Sequence, residues 1–270
     1  MTAFFSYVAV RLNVVQNVWA GSWTRACAAH KAGPTTYALE FMAQHIGIVA
    51  CSAEGAALCY RTICLEGAEL LGRHNHPEVS LHTHPLAEYM KYIDQGDWTG
   101  VAELMMSSAE KLARAGADFL ICPDNTIHQA FDLVAYRSPR PWLHIAEEVA
   151  KESKRCHFKR LGVLGTRYLM EGPVYPEKLK AAGLEHRIPD ENERSRLNQI
   201  IFNELVYAQF LPRSLAYFTE VIRMLKDNGC DAVVLGCTEI PLLVTPDSSP
   251  LPVLDSTRLL ARAALRKAVG

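Results

Sequence analysis

Asn228-Gly229-Cys230-Asp231-Ala232-Val233-Val234-Leu235-Gly236-Cys237-Thr238-Glu239 repeats, with changes, the earlier stretch Ala115-Gly116-Ala117-Asp118-Phe119-Leu120-Ile121-Cys122-Pro123-Asp124-Asn125-Thr126. Gly116 aligns with Gly229 and Asp118 with Asp231, and four apolar residues follow each aspartate. Without a gap, Asp124 then falls opposite Cys237. Ile46-Gly47-Ile48-Val49 likewise matches Leu161-Gly162-Val163-Leu164 at nearly the same offset. Short apolar runs after a helix-stopping glycine read as buried strands of a parallel sheet. Self-similarity at two separate places predicts that the chain is built from two similar α/β halves.

Working outward, apolar runs of strand length recur at 46–51, 78–83, 117–122, 161–165, 231–236 and 252–254. Amphipathic stretches suited to crossover helices lie between or after them, at 56–71, 97–115, 176–182, 194–207, 212–228 and 257–268. The predicted division is a first α/β domain of residues 42–143 plus about 250–270, and a second of 144–249. Residues 1–41 show neither this rhythm nor a signal-peptide pattern nor a long apolar run. They read either as an N-terminal extension, disordered or an over-called start ahead of Met42, or as an extra helix on the fold.

The chain has 270 residues, 49% of them hydrophobic, enough for a substantial core. Lys and Arg number 28 against 29 for Asp and Glu, a balance that points to a small-molecule partner rather than to nucleic acid or a membrane surface. Eight cysteines are scattered without CxxC pairs and are expected as reduced thiols of a cytoplasmic protein.

Ligands of open α/β sheets bind beyond the carboxyl ends of strands. Asp124 and Cys237 fall at such ends, as do Ser52 and Thr166 after the first strand of each half. Each alone reads equally as an ordinary loop residue; the equivalent placement makes them a candidate site. Two proton-carrying groups flanking one carbon are what removal and return of a proton on opposite faces requires. Cys237 is expected close to a helix N-terminus, which favours a thiolate. Asp124 needs desolvation to raise its pKa. Asn125, Thr126, Thr238 and the loop amides are candidates for holding a substrate carboxylate.

Gly236-Cys237-Thr238-Glu239-Ile240-Pro241-Leu242-Leu243 resembles the second catalytic cysteine motif of the aspartate/glutamate racemase superfamily, which includes hydantoin racemases, maleate isomerases and arylmalonate decarboxylases. Pro123-Asp124-Asn125-Thr126-Ile127-His128 is similar to its first motif, where a cysteine ordinarily precedes Asn-Thr. Gly165-Thr166 with Tyr175, and Ile200-Ile201-Phe202-Asn203-Glu204-Leu205, add to the likeness, which runs from about Gln44 to the C-terminus. The resemblance implies two Rossmann-like domains related by a pseudo-twofold axis, the active site in the cleft between them, no cofactor or metal, and a homodimer. It implies Cys237 as a catalytic residue; the internal alignment sets Asp124 opposite it as the second, and Ser52, Asn125, Thr126, Thr166, Thr238, Glu239 and His84 are the residues expected to bind substrate.

Two departures stand out. Asp124 occupies a cysteine position, so a two-thiol mechanism does not carry over intact. The first loop, glycine-rich in aspartate racemases, is altered here to Ala50-Cys51-Ser52-Ala53-Glu54-Gly55 and brings Glu54 near the site, which counts against an acidic substrate. An amino-acid racemase or epimerase is the leading expectation. A decarboxylase or cis–trans isomerase of a dicarboxylic acid using Cys237, and a non-catalytic binding homologue, remain open. His74, His76, His82 and His84 form a separate cluster, in which His82-Thr83-His84 has a spacing compatible with a metal but no assigned third ligand. Cys122 reads as a core thiol, His128 as a helix-start residue behind the Asn-Thr loop, and Tyr89, Tyr92 and Trp98 as packing.

Overall fold

The computed structural model describes residues 43–270, so the expected extension at 1–41 and Cys27 lie outside the described residues. In the first half β1 (Ile46–Ala50) leads to α1 (Ala53–Leu71), β2 (Val79–Thr83), α2 (Leu86–Ile93), α3 (Trp98–Arg114), β3 (Phe119–Ile121) and α4 (Phe131–Ala135). After α5 (Ile145–Arg155) the second half repeats the plan with β4 (Arg160–Leu164), α6 (Arg167–Glu171), α7 (Val174–Ala181), β5 (Glu185–Arg187), α8 (Glu191–Asn203), α9 (Pro212–Asp227) and β6 (Ala232–Leu235). The chain ends with α10 (Ile240–Leu243), β7 (Val253–Asp255) and α11 (Ser256–Val269).

Both sheets are parallel, in the orders β2-β1-β3 and β5-β4-β6-β7. Their registers reproduce the internal repeat: Ile46 pairs with Phe119, and the matching Leu161 pairs with Ala232. The repeated aspartates explain why. Asp118 accepts from the His45 amide at 2.8 Å, and Asp231 accepts from the Arg160 amide at 3.1 Å. Each clamp ties the start of the third strand of its half to the start of the first. Gly116 and Gly229 just before them have φ of 98° and 84°, a left-handed turn that a side chain would strain.

Alternation along the strands places apolar residues on both faces of each sheet. Ile46, Ile48, Phe119 and Ile121 meet α1 and α11 on one face, while Val49, Leu120 and Cys122 meet α3 on the other. In the second sheet Leu161, Val163, Ala232 and Val234 face α5 and α7, and Leu164, Val233 and Leu235 face α8 and α9. Residues 250–270, grouped by sequence with the first half, divide their service: β7 extends the second sheet, and α11 packs across α1 and α5. Among the described residues, no helix is long and apolar enough to cross a membrane.

Candidate active site

The strand ends bring four loops together, and two pairs of hydroxyls join them across the cleft. Ser52 caps α1 and its Oγ lies 3.0 Å from Thr238 Oγ1. Thr166 caps α6 and its Oγ1 lies 2.9 Å from Thr126 Oγ1. Each bond joins the loop after the first strand of one half to the loop after the third strand of the other. Close approach on the first side requires Gly55, since a Cβ there would overlap the Thr238 side chain.

Asp124 and Cys237 line one pocket between these loops, with Cys51, Ser52, Thr126, Thr166 and Glu239. Both are partly buried. The Ile127 amide donates to Asp124 Oδ1 at 3.0 Å. Burial pushes the Asp124 carboxyl up to about 6, opposed by that amide and reinforced by the Glu239 carboxylate. Behind it His128 Nδ1 donates to the Asp124 carbonyl at 2.7 Å, while His128 Nε2 accepts from the Ile145 amide at 3.3 Å. One donor and one acceptor define a neutral imidazole. Burial holds its pKa down to about 4.

On the opposite side the Cys237 thiol donates to Glu239 Oε2 at 2.9 Å, and Thr238 Oγ1 donates to the same oxygen at 2.8 Å. With its proton directed there, Thr238 accepts from Ser52, giving a chain from Ser52 through Thr238 to the buried Glu239. The expected depression of the Cys237 pKa is corrected by this geometry. Burial and the Glu239 carboxylate push the thiol well above its usual range, and α10, only four residues long, starts three residues downstream.

Asn125 is buried and its amide is spent on the scaffold. It accepts from the Tyr175 hydroxyl at 2.7 Å and donates to Ser256 Oγ at 3.0 Å, and Ser256 donates on to the Leu235 carbonyl at 2.9 Å. Asn125 thus fastens the first half to the second beneath the pocket. Thr238 also stands behind the lining, not in it. His84 is not brought to this pocket: it bonds Ser107 on α3 at 3.2 Å, as His82 bonds Ser108 at 2.9 Å. No three His, Cys, Asp or Glu side chains among the described residues cluster as a metal would need. Glu54 sits in the first turn of α1 outside the lining, and Cys122 is a core thiol donating to the Asp124 carbonyl at 3.7 Å.

The remaining wall was not legible by position in sequence. Leu86, Met90 and Ile93 come from α2, Tyr168 from α6, Ile201 and Phe202 from α8. The apolar spacing of 86, 89, 90 and 93 is a usable signal for α2, but nothing in it says which cavity the helix covers. None of the lining residues is Lys, Arg or His. The Tyr168 hydroxyl bonds Asp94 at the rim at 2.8 Å, and the exposed Arg167 guanidinium lies over the Tyr168 ring.

Residues 46–264 match the family model for Asp/Glu/hydantoin racemase. The chain belongs to the Asp/Glu/hydantoin racemase family. Within this racemase family, it is 26% identical over 197 residues to the broad specificity amino-acid racemase RacX of Bacillus subtilis (strain 168), covering 71% of this chain and 82% of the relative. A glutamate racemase of Aquifex aeolicus (strain VF5) is 29% identical over 162 residues, 57% of this chain and 60% of that one. Among solved structures, a candidate Asp/Glu racemase from Yersinia pestis superposes with a TM-score of 0.77 at 31% identity, over 84% of this chain and all (100%) of that one. An aspartate racemase homologue from Pyrococcus horikoshii OT3 gives 0.73 at 26% identity, over 84% and 100% of the two chains. The two parallel sheets are those of the two-domain racemase fold.

Proposed function

We propose that this racemase-family chain is a cofactor-independent amino-acid racemase or epimerase, acting in the cytoplasm on a free small molecule. In this reading the α-proton is exchanged between Asp124 on one face of the substrate carbon and Cys237 on the other. The observation that carries it is the delivery of these two proton carriers, by equivalent loops of a repeated fold, to one pocket. A carboxyl held near 6 can be base or acid at neutral pH, and a protonated thiol beside a carboxylate is a ready donor. Ser52, Thr126 and Thr166 hold the substrate carboxylate together with the loop amides; Asn125, Thr238 and Glu239 position those groups.

The wall favours a substrate whose side chain carries no negative charge. An acidic side chain entering this pocket would meet apolar groups on one side and two acids, Asp124 and Glu239, on the other. The cavity is small, with about 40 Å³ open to the centres of water-sized molecules, which favours a compact side chain. A racemase named for broad amino-acid specificity among the relatives supports this reading.

The test is solvent-deuterium incorporation at the α-carbon, followed by NMR across a panel of neutral, basic and acidic amino acids. Neutral apolar members should exchange fastest. Unchanged activity in Cys237→Ser would sink the assignment, and release of carbon dioxide from a malonate, or loss of maleate absorbance, without any exchange would replace it.

A further inference from the structure

The register of β1 and β3 has a consequence beyond the sheet itself. Ile48 pairs with Ile121, and three residues further on, past the strand ends, lie Cys51 and Asp124. Cys51 is buried at 4% exposure and lines the same pocket as Asp124, Cys237 and Glu239. In the second half the residue just before the helix-capping Thr166 is Gly165, so the thiol at 51 has no counterpart there.

Two thiols and two carboxylates therefore face one cavity, and they sort into couples by half. Cys237 donates to Glu239 on the second side. On the first side, Ile127 takes Asp124 Oδ1. The Cys51 thiol and the Asp124 carboxyl come from the loops that follow the paired strands β1 and β3 and line the same pocket, and burial, reinforced by the neighbouring Asp124, pushes the thiol up. A thiol thus reaches the pocket from the loop after β1, although the first motif carries none at position 124.

We propose that Cys51 is a catalytic residue, the sulfur that meets the substrate on the first face, with Asp124 acting through it. This rests on the racemase reading above and replaces its direct proton transfer to Asp124 with a relay through Cys51. In the forward direction the Asp124 carboxylate takes the Cys51 S–H proton. The thiolate then takes the α-proton, the C–H electron pair passing into the substrate carboxylate as an enediolate. The Cys237 thiol delivers its proton to the opposite face of the carbon. One proton has moved from the second couple to the first, and turnover of the opposite enantiomer, or exchange with water, restores the starting form.

The experiment uses the full chain and follows each enantiomer of the panel separately in deuterium oxide, with Cys51→Ala, Cys51→Ser and Asp124→Asn. Thermal melts establish that the variants are folded. Cys51→Ala is expected to lower kcat for racemisation on the order of 100-fold. It should still permit exchange from the one enantiomer whose α-hydrogen faces Cys237, to within about tenfold of wild type. Cys51→Ser, with a hydroxyl of far higher pKa, should behave like Cys51→Ala. Racemisation by both variants within about threefold of wild type overturns the proposal and leaves Asp124 acting directly. Absence of exchange from every amino acid in the wild type removes the racemase reading itself, and Cys51 with it.

Discussion

The two sides of the cleft share a backbone and differ in chemistry. On the first side a carboxyl stands at the strand end, backed by a locked neutral histidine, with a thiol beside it from the adjacent strand. On the second side a thiol stands at the strand end, and the carboxylate lies two residues on in the same loop. The aspartate clamps, the glycine turns and the hydroxyl pairs are repeated; the proton-carrying groups are rearranged. Matching strand registers are thus compatible with opposite assignments of acid and sulfur, because the clamps that fix the register lie at the far ends of the strands.

The largest expected effect breaks the second side. Cys237→Ser should lower racemisation by roughly 10³- to 10⁴-fold, measured by polarimetry or NMR, since its proton donation has no substitute on that face. Asp124→Asn should cost roughly 10²- to 10³-fold, and it carries a sharper signature. The acid limb of the kcat/KM profile, expected near the raised Asp124 pKa of about 6, should vanish in the variant.

Stability separates the sides through pH. His128 is neutral in the fold with its pKa lowered to about 4, so its contribution is complete above the unfolded value of roughly 6.5 and is lost as pH falls toward 4. That loss amounts to about 3 kcal/mol at most. His144, lowered to about 2, acts in the same direction. Asp124 opposes them, because its raised pKa makes the fold gain stability as pH falls from 6 toward the unfolded carboxyl value. Denaturant unfolding at pH 7 and pH 4.5 should show a net loss at the lower pH, and a larger one in Asp124→Asn.

Asn125→Ala should destabilise by about 2 kcal/mol in the same assay, from the buried Tyr175 hydroxyl left without its acceptor and the Ser256 oxygen left without its donor. A loss of exchange in that variant exceeding its loss of stability would instead give Asn125 a direct hold on substrate. The smallest effect belongs to the exposed rim, where Tyr168→Phe removes the bond to Asp94 and should change KM by less than about threefold.

Much of this was legible in the sequence. The repeat around Asp118 and Asp231 predicted both third strands and the alignment of Asp124 with Cys237, because a buried parallel strand writes itself as a short apolar run. Six of the strands were anticipated with ends close to those seen, but β5 was not: Glu185-His186-Arg187 is a polar edge strand, paired only on one side. Helices α2 and α5, which supply a cavity wall and the packing beneath α11, carry helical spacing but lie outside the predicted helices. In sequence Cys51 stands only as the end of a strand-length run and a member of the altered loop. Its approach to Asp124 depends on a strand pairing across 73 residues, which no local pattern encodes. The expected depression of the Cys237 pKa fails because burial and a neighbouring carboxylate outweigh a helix of four residues.

The repeat lies within one chain, and that sets what the cleft can become. A site shared by two identical subunits across a true twofold axis must present the same side chain on both faces, so every change on one face is forced upon the other. Here the two faces are encoded separately. Asp124 could stand opposite Cys237, and Cys51 opposite Gly165, without any second compensating mutation, which leaves each face free to drift toward its own enantiomer or its own reaction.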